Sequence, residues 1–195
     1  MSELHDQLRE LLESGDTELL AARSAGAAAE LPDDPRIAAY GAFAALAEII
    51  RIYRKEALDL FVNTRKKGAT AFLSKFFLGR DEFYTDGIHG RYYADLEKSI
   101  DGLRKALDAL SEDDPLRGDL SVAAVERVLD PAPKERKEMI ILLSADDHFP
   151  LCLLPFCRKE DLIGIRDRYL AYYPRKDRLP NQLTLLREME KLIKA

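Results

Sequence analysis

An all-α fold of antiparallel helix pairs is predicted by three features of this chain. Its composition is 47% hydrophobic and 33% charged, with no Trp, 10 Gly and 9 Pro. Leu, Ala, Glu, Lys and Arg are abundant, and they lose little side-chain entropy in a helix. Apolar residues recur at three- and four-residue spacing, the period of a helix with a buried face. Short signals of Gly, Asp and Pro separate these runs, and connections that short make successive helices antiparallel neighbours.

Leu4, Leu8, Leu11 and Leu12 form the stripe of a first helix. Gly15 ends it, because glycine takes the left-handed conformation cheaply. Asp16 or Thr17 caps a second helix running to about Glu30, with Leu20, Ala27 and Leu31 inward. Ala25, Gly26, Ala27, Ala28 and Ala29 are small enough to let a neighbouring helix approach closely. Leu31-Pro32-Asp33-Asp34-Pro35 stops it, since proline cannot continue the hydrogen-bond ladder.

A third helix opens near Pro35, a good first-turn residue, and continues to about Val62. It carries two apolar stripes. One holds Tyr40, Phe43, Ala47, Ile50, Ala57 and Phe61; the other holds Leu46, Ile49, Tyr53 and Leu60. A helix covered on two sides is expected at the centre of the core, with Arg51, Arg54 and Lys55 on a third, wet side. Asn63 to Gly68 reads as a basic break, Ala69 to Leu78 as a short apolar helix, and residues 80–91 as an ordered loop.

Tyr93, Leu96, Ile100, Leu103, Leu107 and Leu110 alternate at three and four, a heptad seam too short for a free coiled coil and suited to a bundle. Ser111 to Pro115 repeats the acidic turn of Pro32 to Pro35. Asp119 is the expected cap of a helix with Val122, Val125, Val128 and Leu129. Asp130-Pro131 opens another, through Met139, Ile140 and Leu143. Residues 139–156 are Leu-rich, which favours helices, although two apolar runs around Ser144–Phe149 also fit a small β-hairpin. Lys159 to Tyr173 is helical, with Leu162, Ile163, Arg166, Tyr169 and Leu170 on one side. Residues 172–180 form a turn, and a last helix from Pro180 or Asn181 carries Leu185, Leu186, Met189 and Ile193. These elements make a single helical domain over 1–195, with a C-terminal subdomain from about 131 as the variant reading.

The net charge of −5 is unevenly spread. Residues 1–50 hold 3 basic and 10 acidic side chains, and residues 51–91 hold 9 basic and 5 acidic. The first part would repel nucleic acid and the second attract anions, while a surface of ordinary mixed sign is the favoured reading of windows this short. In and just after that second part Arg65, Lys66, Lys67, Lys75, Arg80 and Arg91 interleave with Phe72, Phe76, Phe77, Phe83, Tyr84, Tyr92 and Tyr93. Cations with stacking rings suit nucleic acid. An amphipathic element on a membrane surface fits too. So do rings in the core with the cations solvated, as the helical spacing and acidic whole suggest.

Metal and nucleophile motifs are sparse. His5-Asp6, His89 and Asp146-Asp147-His148 are the histidine neighbourhoods, with no His-x3-His or His-Glu-x-x-His spacing. Asp147, His148 and a distant carboxylate could bind a divalent ion; capping by Asp146 or Asp147 beside a surface His is the favoured account. Cys152 and Cys157 are five apart, which is neither a redox nor a zinc-ribbon spacing, and they fit structural thiols in a reducing, cytoplasmic setting. No phosphate loop, dinucleotide fingerprint or nucleophile elbow occurs, so no cofactor is implied. The charged opening, from Glu3 onward, does not read as a signal peptide. No apolar run approaches the ~20 residues of a bilayer span.

Residues 1–34 resemble a tetratricopeptide repeat, a 34-residue helix-turn-helix unit. The turn falls at Gly15-Asp16, the small residue of the second helix at Ala27, the terminal proline at Pro32, and a large residue at Leu11. Leu8, Leu20 and Ser24 depart from the family's usual small, Ala and aromatic positions. A second unit from Pro35 needs a break near Ile49, and the sequence shows none. The resemblance implies a tetratricopeptide-like solenoid binding a peptide or protein in a groove; an irregular helical bundle satisfies the same periodicities. The expected function is a non-enzymatic protein–protein interaction module, a helical-repeat-like adaptor or scaffold. Its site for an acidic partner is Arg51, Arg54, Lys55, Arg65, Lys66 and Lys67. The alternatives are a nucleic-acid-associated protein using 51–93, and an enzyme with a site near Asp146, Asp147 and His148.

Overall fold

Leucines at the expected spacing do build the first helix. The computed structural model describes residues 2–65, 88–129, 151–172 and 180–195. Within them the chain is all-helical. Its seven α-helices are α1 (Ser2–Ser14), α2 (Thr17–Glu30), α3 (Pro35–Arg65), α4 (Ile88–Asp108), α5 (Pro115–Leu129), α6 (Lys159–Tyr172) and α7 (Pro180–Lys194), with a 3-10 turn at Leu154–Phe156. No helix among the described residues is long and apolar enough to cross a membrane.

Leu8 is fully buried, and Leu4, Leu11 and Leu12 pack against the core beside it. Gly15 closes α1 with φ +75°, the left-handed turn that favours glycine. Asp16 then caps α2, its side chain accepting from the Leu19 amide at 3.0 Å. The seam of α2 against α3 is Leu20, Ser24 and Ala27. Ser24 satisfies its hydroxyl on the Ala21 carbonyl, and its Oγ lies 3.7 Å from where a Cβ on Gly41 would sit. The expected close-approach run is corrected here. Ala25, Gly26, Ala28 and Ala29 are exposed, because at about 100° per residue the Leu20–Ser24–Ala27 seam turns them outward.

The central helix is α3. It packs on α1, α2, α4 and α5. Its buried residues, Ile37, Ala39, Tyr40, Phe43, Ala44, Leu46, Ala47, Ile50 and Tyr53, cover roughly 200° of its circumference. The helix runs unbroken past Ile49 and on to Arg65, so Asn63–Arg65, expected in a break, are helical, and the rest of that break lies outside the described residues. Its 31 residues span about 46 Å. From Leu96 on, the seam of α4 is as expected, with Leu96, Ile100, Leu103 and Leu107 buried, and Leu110 just past the helix end buried too; α4 packs mainly against α3.

Two boundaries differ. Residues 88–91, expected in a loop, form the first turn of α4. And α5 opens at Pro115 rather than after Asp119, with Leu116, Leu120, Ala124 and Val125 inward. Asp114 supplies the cap and Pro115 the pre-set first-turn dihedral, the same pairing as Asp34-Pro35. Asp119 instead pairs with Arg158 at 2.9 Å.

The C-terminal elements close one side. The 3-10 turn touches α5 and α7, α6 touches α5, and α6 pairs with α7. Leu162, Ile165 and Tyr169 face inward from α6, while Ile163 is 36% exposed, so the buried side is turned roughly 60° from the expected stripe. Leu185, Leu186 and Met189 are buried on α7. Residues from all seven helices join one contiguous core. Of the expected hairpin, 151–156 is turn and 3-10 helix; 139–150 lies outside the described residues, as do the helix expected after Asp130-Pro131 and the one expected over 69–78.

Phe43 sits mid-α3 with 1% exposure. Phe43→Ala is expected to lower the unfolding free energy by about 3–5 kcal/mol, measured by urea denaturation.

Candidate functional site

Two copies of Asp-Asp-Pro, at 33–35 and 113–115, end up at the same end of the bundle. Each turn is built alike. The Asp34 amide donates to the Leu31 carbonyl at 3.2 Å, and the Asp114 amide to the Ser111 carbonyl at 3.0 Å. Asp34 Oδ1 accepts from the amides of Arg36 at 2.9 Å and Ile37 at 3.3 Å. Asp114 Oδ1 accepts from the Leu116 amide at 3.0 Å. One carboxylate oxygen in each thus satisfies donors that a helix start leaves orphaned.

The second oxygen of each reaches another element. Asp34 Oδ2 lies 3.0 Å from His5 Nε2 on α1. Asp114 Oδ2 accepts from Arg36 Nε at 2.7 Å. Arg36 therefore donates its amide to one cap and its guanidinium to the other. Burial pushes the Asp34 carboxyl up, but the Ile37 and Arg36 amides and the charge and hydrogen bond of His5 outweigh it, holding the group below its ordinary value. These residues edge a groove of about 730 Å³ whose apolar floor includes Leu31, Pro32 and Leu110. The sequence paired His5 with its neighbour Asp6; the observed partner is 29 residues away. The available signal was the repeated Asp-Asp-Pro.

The sequence-derived cationic set falls on and beyond α3. Arg51 and Lys55 are exposed one turn apart. Arg54 and Arg65 belong to the same helix, while Lys66 and Lys67 lie outside the described residues. Arg51 is already engaged: its Nε and Nη2 donate to the two carboxylate oxygens of Glu48 at 2.7 and 2.6 Å. The Glu48 hydrogen bond and charge raise the Arg51 guanidinium pKa, and that same bond lowers the Glu48 carboxyl. The pair is bidentate, the geometry that suits guanidinium to carboxylate.

Asp146, Asp147 and His148 lie outside the described residues, and His89 falls in the first turn of α4. Among the described residues no group of three His, Cys, Asp or Glu is placed to hold a metal ion. Cys157 has its thiol pushed up to about 12, chiefly by burial, and burial raises Cys152 as well. Neither is poised as a thiolate nucleophile at neutral pH. A second hollow, of about 380 Å³, lies where Arg117 stacks 5.2 Å over Phe156 and where Arg158 bridges Asp119 and Asp161. Glu112, Asp113 and Asp114 also line it, and Arg117 Nε is buried without a hydrogen-bond partner among the described residues.

Compared with known proteins, the chain matches no family model, no curated protein and no solved structure.

The linked turns carry two consequences. A carboxyl held below its unfolded value stabilises the fold above that value, about 3.9, and the gain is lost as pH falls through the lower folded value. Asp34→Asn is therefore expected to flatten the acid limb of a stability–pH curve below about pH 4, measured by urea unfolding at stepped pH. Across Arg36→Ala and Asp114→Ala, a double-mutant cycle is expected to return about 1 kcal/mol of coupling, at the upper end for a partly exposed pair because Asp114 is 7% exposed.

Proposed function

We propose that this chain is a non-enzymatic protein–protein interaction module, a helical-repeat-like adaptor that docks an acidic protein or peptide segment along the cationic side of α3. The observation that carries the reading is the mounting of that side. Arg51 and Lys55 stand exposed on the same helix whose Ile50 and Tyr53 are 2% and 1% exposed in the core. The cations sit on a rod fixed from behind, so less conformational freedom is lost on binding than on a loop. Arg54 and Arg65 continue the cationic register along α3. Lys66 and Lys67 belong to the set by sequence.

Glu48 shapes how such a partner binds. Its carboxylate already takes two bonds from Arg51, so a partner's carboxylate exchanges with it rather than meeting a bare charge. Selection then favours a run of acidic side chains over a single one. The Gly15-Asp16 hairpin supports a repeat-like start to the module. The unbroken α3 makes its continuation a long platform in place of a second short pair. Two free cysteines suit a reducing cytoplasm, which belongs to the same reading.

The test is titration of the chain with a Glu- and Asp-rich peptide, followed by calorimetry at rising salt. Reversing Arg51, Arg54, Lys55, Arg65, Lys66 and Lys67 to Glu is expected to weaken binding at least about tenfold with helix content unchanged. Glu48→Gln is expected to tighten it by freeing Arg51. Equal affinity after the six reversals, in a folded variant, would remove the proposal.

A further inference from the structure

The end of the bundle that carries the two Asp-Asp-Pro turns holds more negative charge than the fold uses. Its groove on Leu31, Pro32 and Leu110, of about 730 Å³, and the hollow on Pro155 and Phe156, of about 380 Å³, share Asp114, so they meet across the 111–115 turn. Six carboxylates and three guanidinium groups line the two together. Each guanidinium already has a neighbour of its own. Arg36 bonds Asp114, Arg158 bonds Asp119 and Asp161, and Arg117 lies over the Phe156 ring and 4.0 Å from Asp108.

Of the acids, Asp34 and Asp114 cap helices. The other four, Glu30, Asp33, Glu112 and Asp113, are exposed and make no side-chain hydrogen bond or ion pair among the described residues. Helix stability does not account for them. Asp33 and Asp113 each stand one position before the capping residue. Glu30 is the last residue of α2, at the negative end of that helix's dipole, where an acid costs stability.

Four free carboxylates around two apolar floors define what fits. Nucleic acid and anionic membrane are repelled by the same charge. A simple cation leaves the apolar floors unused. A peptide segment carrying both Lys or Arg and apolar side chains uses both features: its cations meet the free carboxylates, and its apolar groups leave water on the floors.

We propose that this bundle end docks a basic segment of a partner protein that also carries apolar side chains. One such side chain sits on Leu31, Pro32 and Leu110, and the Lys and Arg residues face Glu30, Asp33, Glu112 and Asp113. Arg51 lies sixteen residues beyond Pro35 on α3, about 24 Å along the helix. The surface is therefore separate from the cationic side of α3, takes a partner of opposite sign, and does not depend on the function proposed there.

The probe is acetyl-Lys-Arg-Leu-Lys-Leu-Arg-amide, titrated into the full chain by calorimetry at low and raised salt. Saturable binding that weakens as salt rises is expected. Glu30→Lys with Asp33→Lys, and Glu112→Lys with Asp113→Lys, are each expected to weaken it at least about tenfold with helix content unchanged, since all four side chains are exposed and unpaired. A probe with both leucines replaced by serine is expected to bind at least about tenfold more weakly, which attraction by charge alone would not produce. No saturable binding, equal affinity for the serine probe, or affinity indifferent to both pairs of reversals would overturn the proposal. So would self-association of the wild type that the probe displaces, because the occupant would then be a second copy of this chain.

Discussion

A helix that must hide apolar residues around more than half of its circumference cannot sit at the edge of a bundle. That constraint on α3 organises the molecule. Tyr40, Phe43, Leu46, Ala47, Ile50 and Tyr53 point in directions that no single partner covers. So α1 and α2 wrap one side, α4 lies along another and α5 fills the remainder. Arg51 and Lys55 lie in the same angular sector as Ile37, Tyr40 and Ala44, and they are exposed because they come later along α3. The proposed docking surface is thus a by-product of the core: the same helix that anchors the fold displays the cations.

The ends of these helices face a different problem. Each helix start leaves backbone donors without partners, and each junction must also hold neighbouring helices in register. Asp34 and Asp114 answer both with one side chain apiece. One oxygen caps the helix, and the other binds a side chain from elsewhere, His5 or Arg36. At the opposite end Arg127 Nη2 reaches the Gly15 carbonyl at 3.2 Å, tying α5 back to the first hairpin turn. Polar contacts thus fix the level at which helices meet, while apolar contacts hold them together.

Much of this was legible in the sequence wherever a local rule was enough. The Gly15 stop, the Asp16 cap, the ends of α2, the start of α3 and the seam of α4 follow from spacing and turn chemistry alone. The start of α5 was misplaced although Asp114-Pro115 carries the same signal as Asp34-Pro35, because Asp119 also has capping chemistry and lies closer to the valine run. The small residues of α2 show a different limit. Composition gave their size, but only the angle set by Leu20, Ser24 and Ala27 decides which of them meet α3. The groove at the bundle end was beyond local reading, since Arg36 and Asp114 are separated by 78 positions. For the cationic site, the stripes alone do not give the exposure of Arg51 and Lys55, which point in the direction of buried Ile37, Tyr40 and Ala44 and are exposed only farther along α3. The Glu48 clamp on Arg51 is an i, i+3 pair that the spacing contained and the charge pattern alone did not single out.

The most direct measurement is native-state hydrogen exchange resolved along α3. If α3 is one continuous rod clad on two sides, amides from Phe43 to Tyr53 exchange only through global unfolding, and protection runs without interruption across Leu46, Ile49 and Ile50. Rapid exchange confined to that stretch would mean two short helices meeting near Ile49, and the platform on which the fold and the proposed surface both rest would not exist.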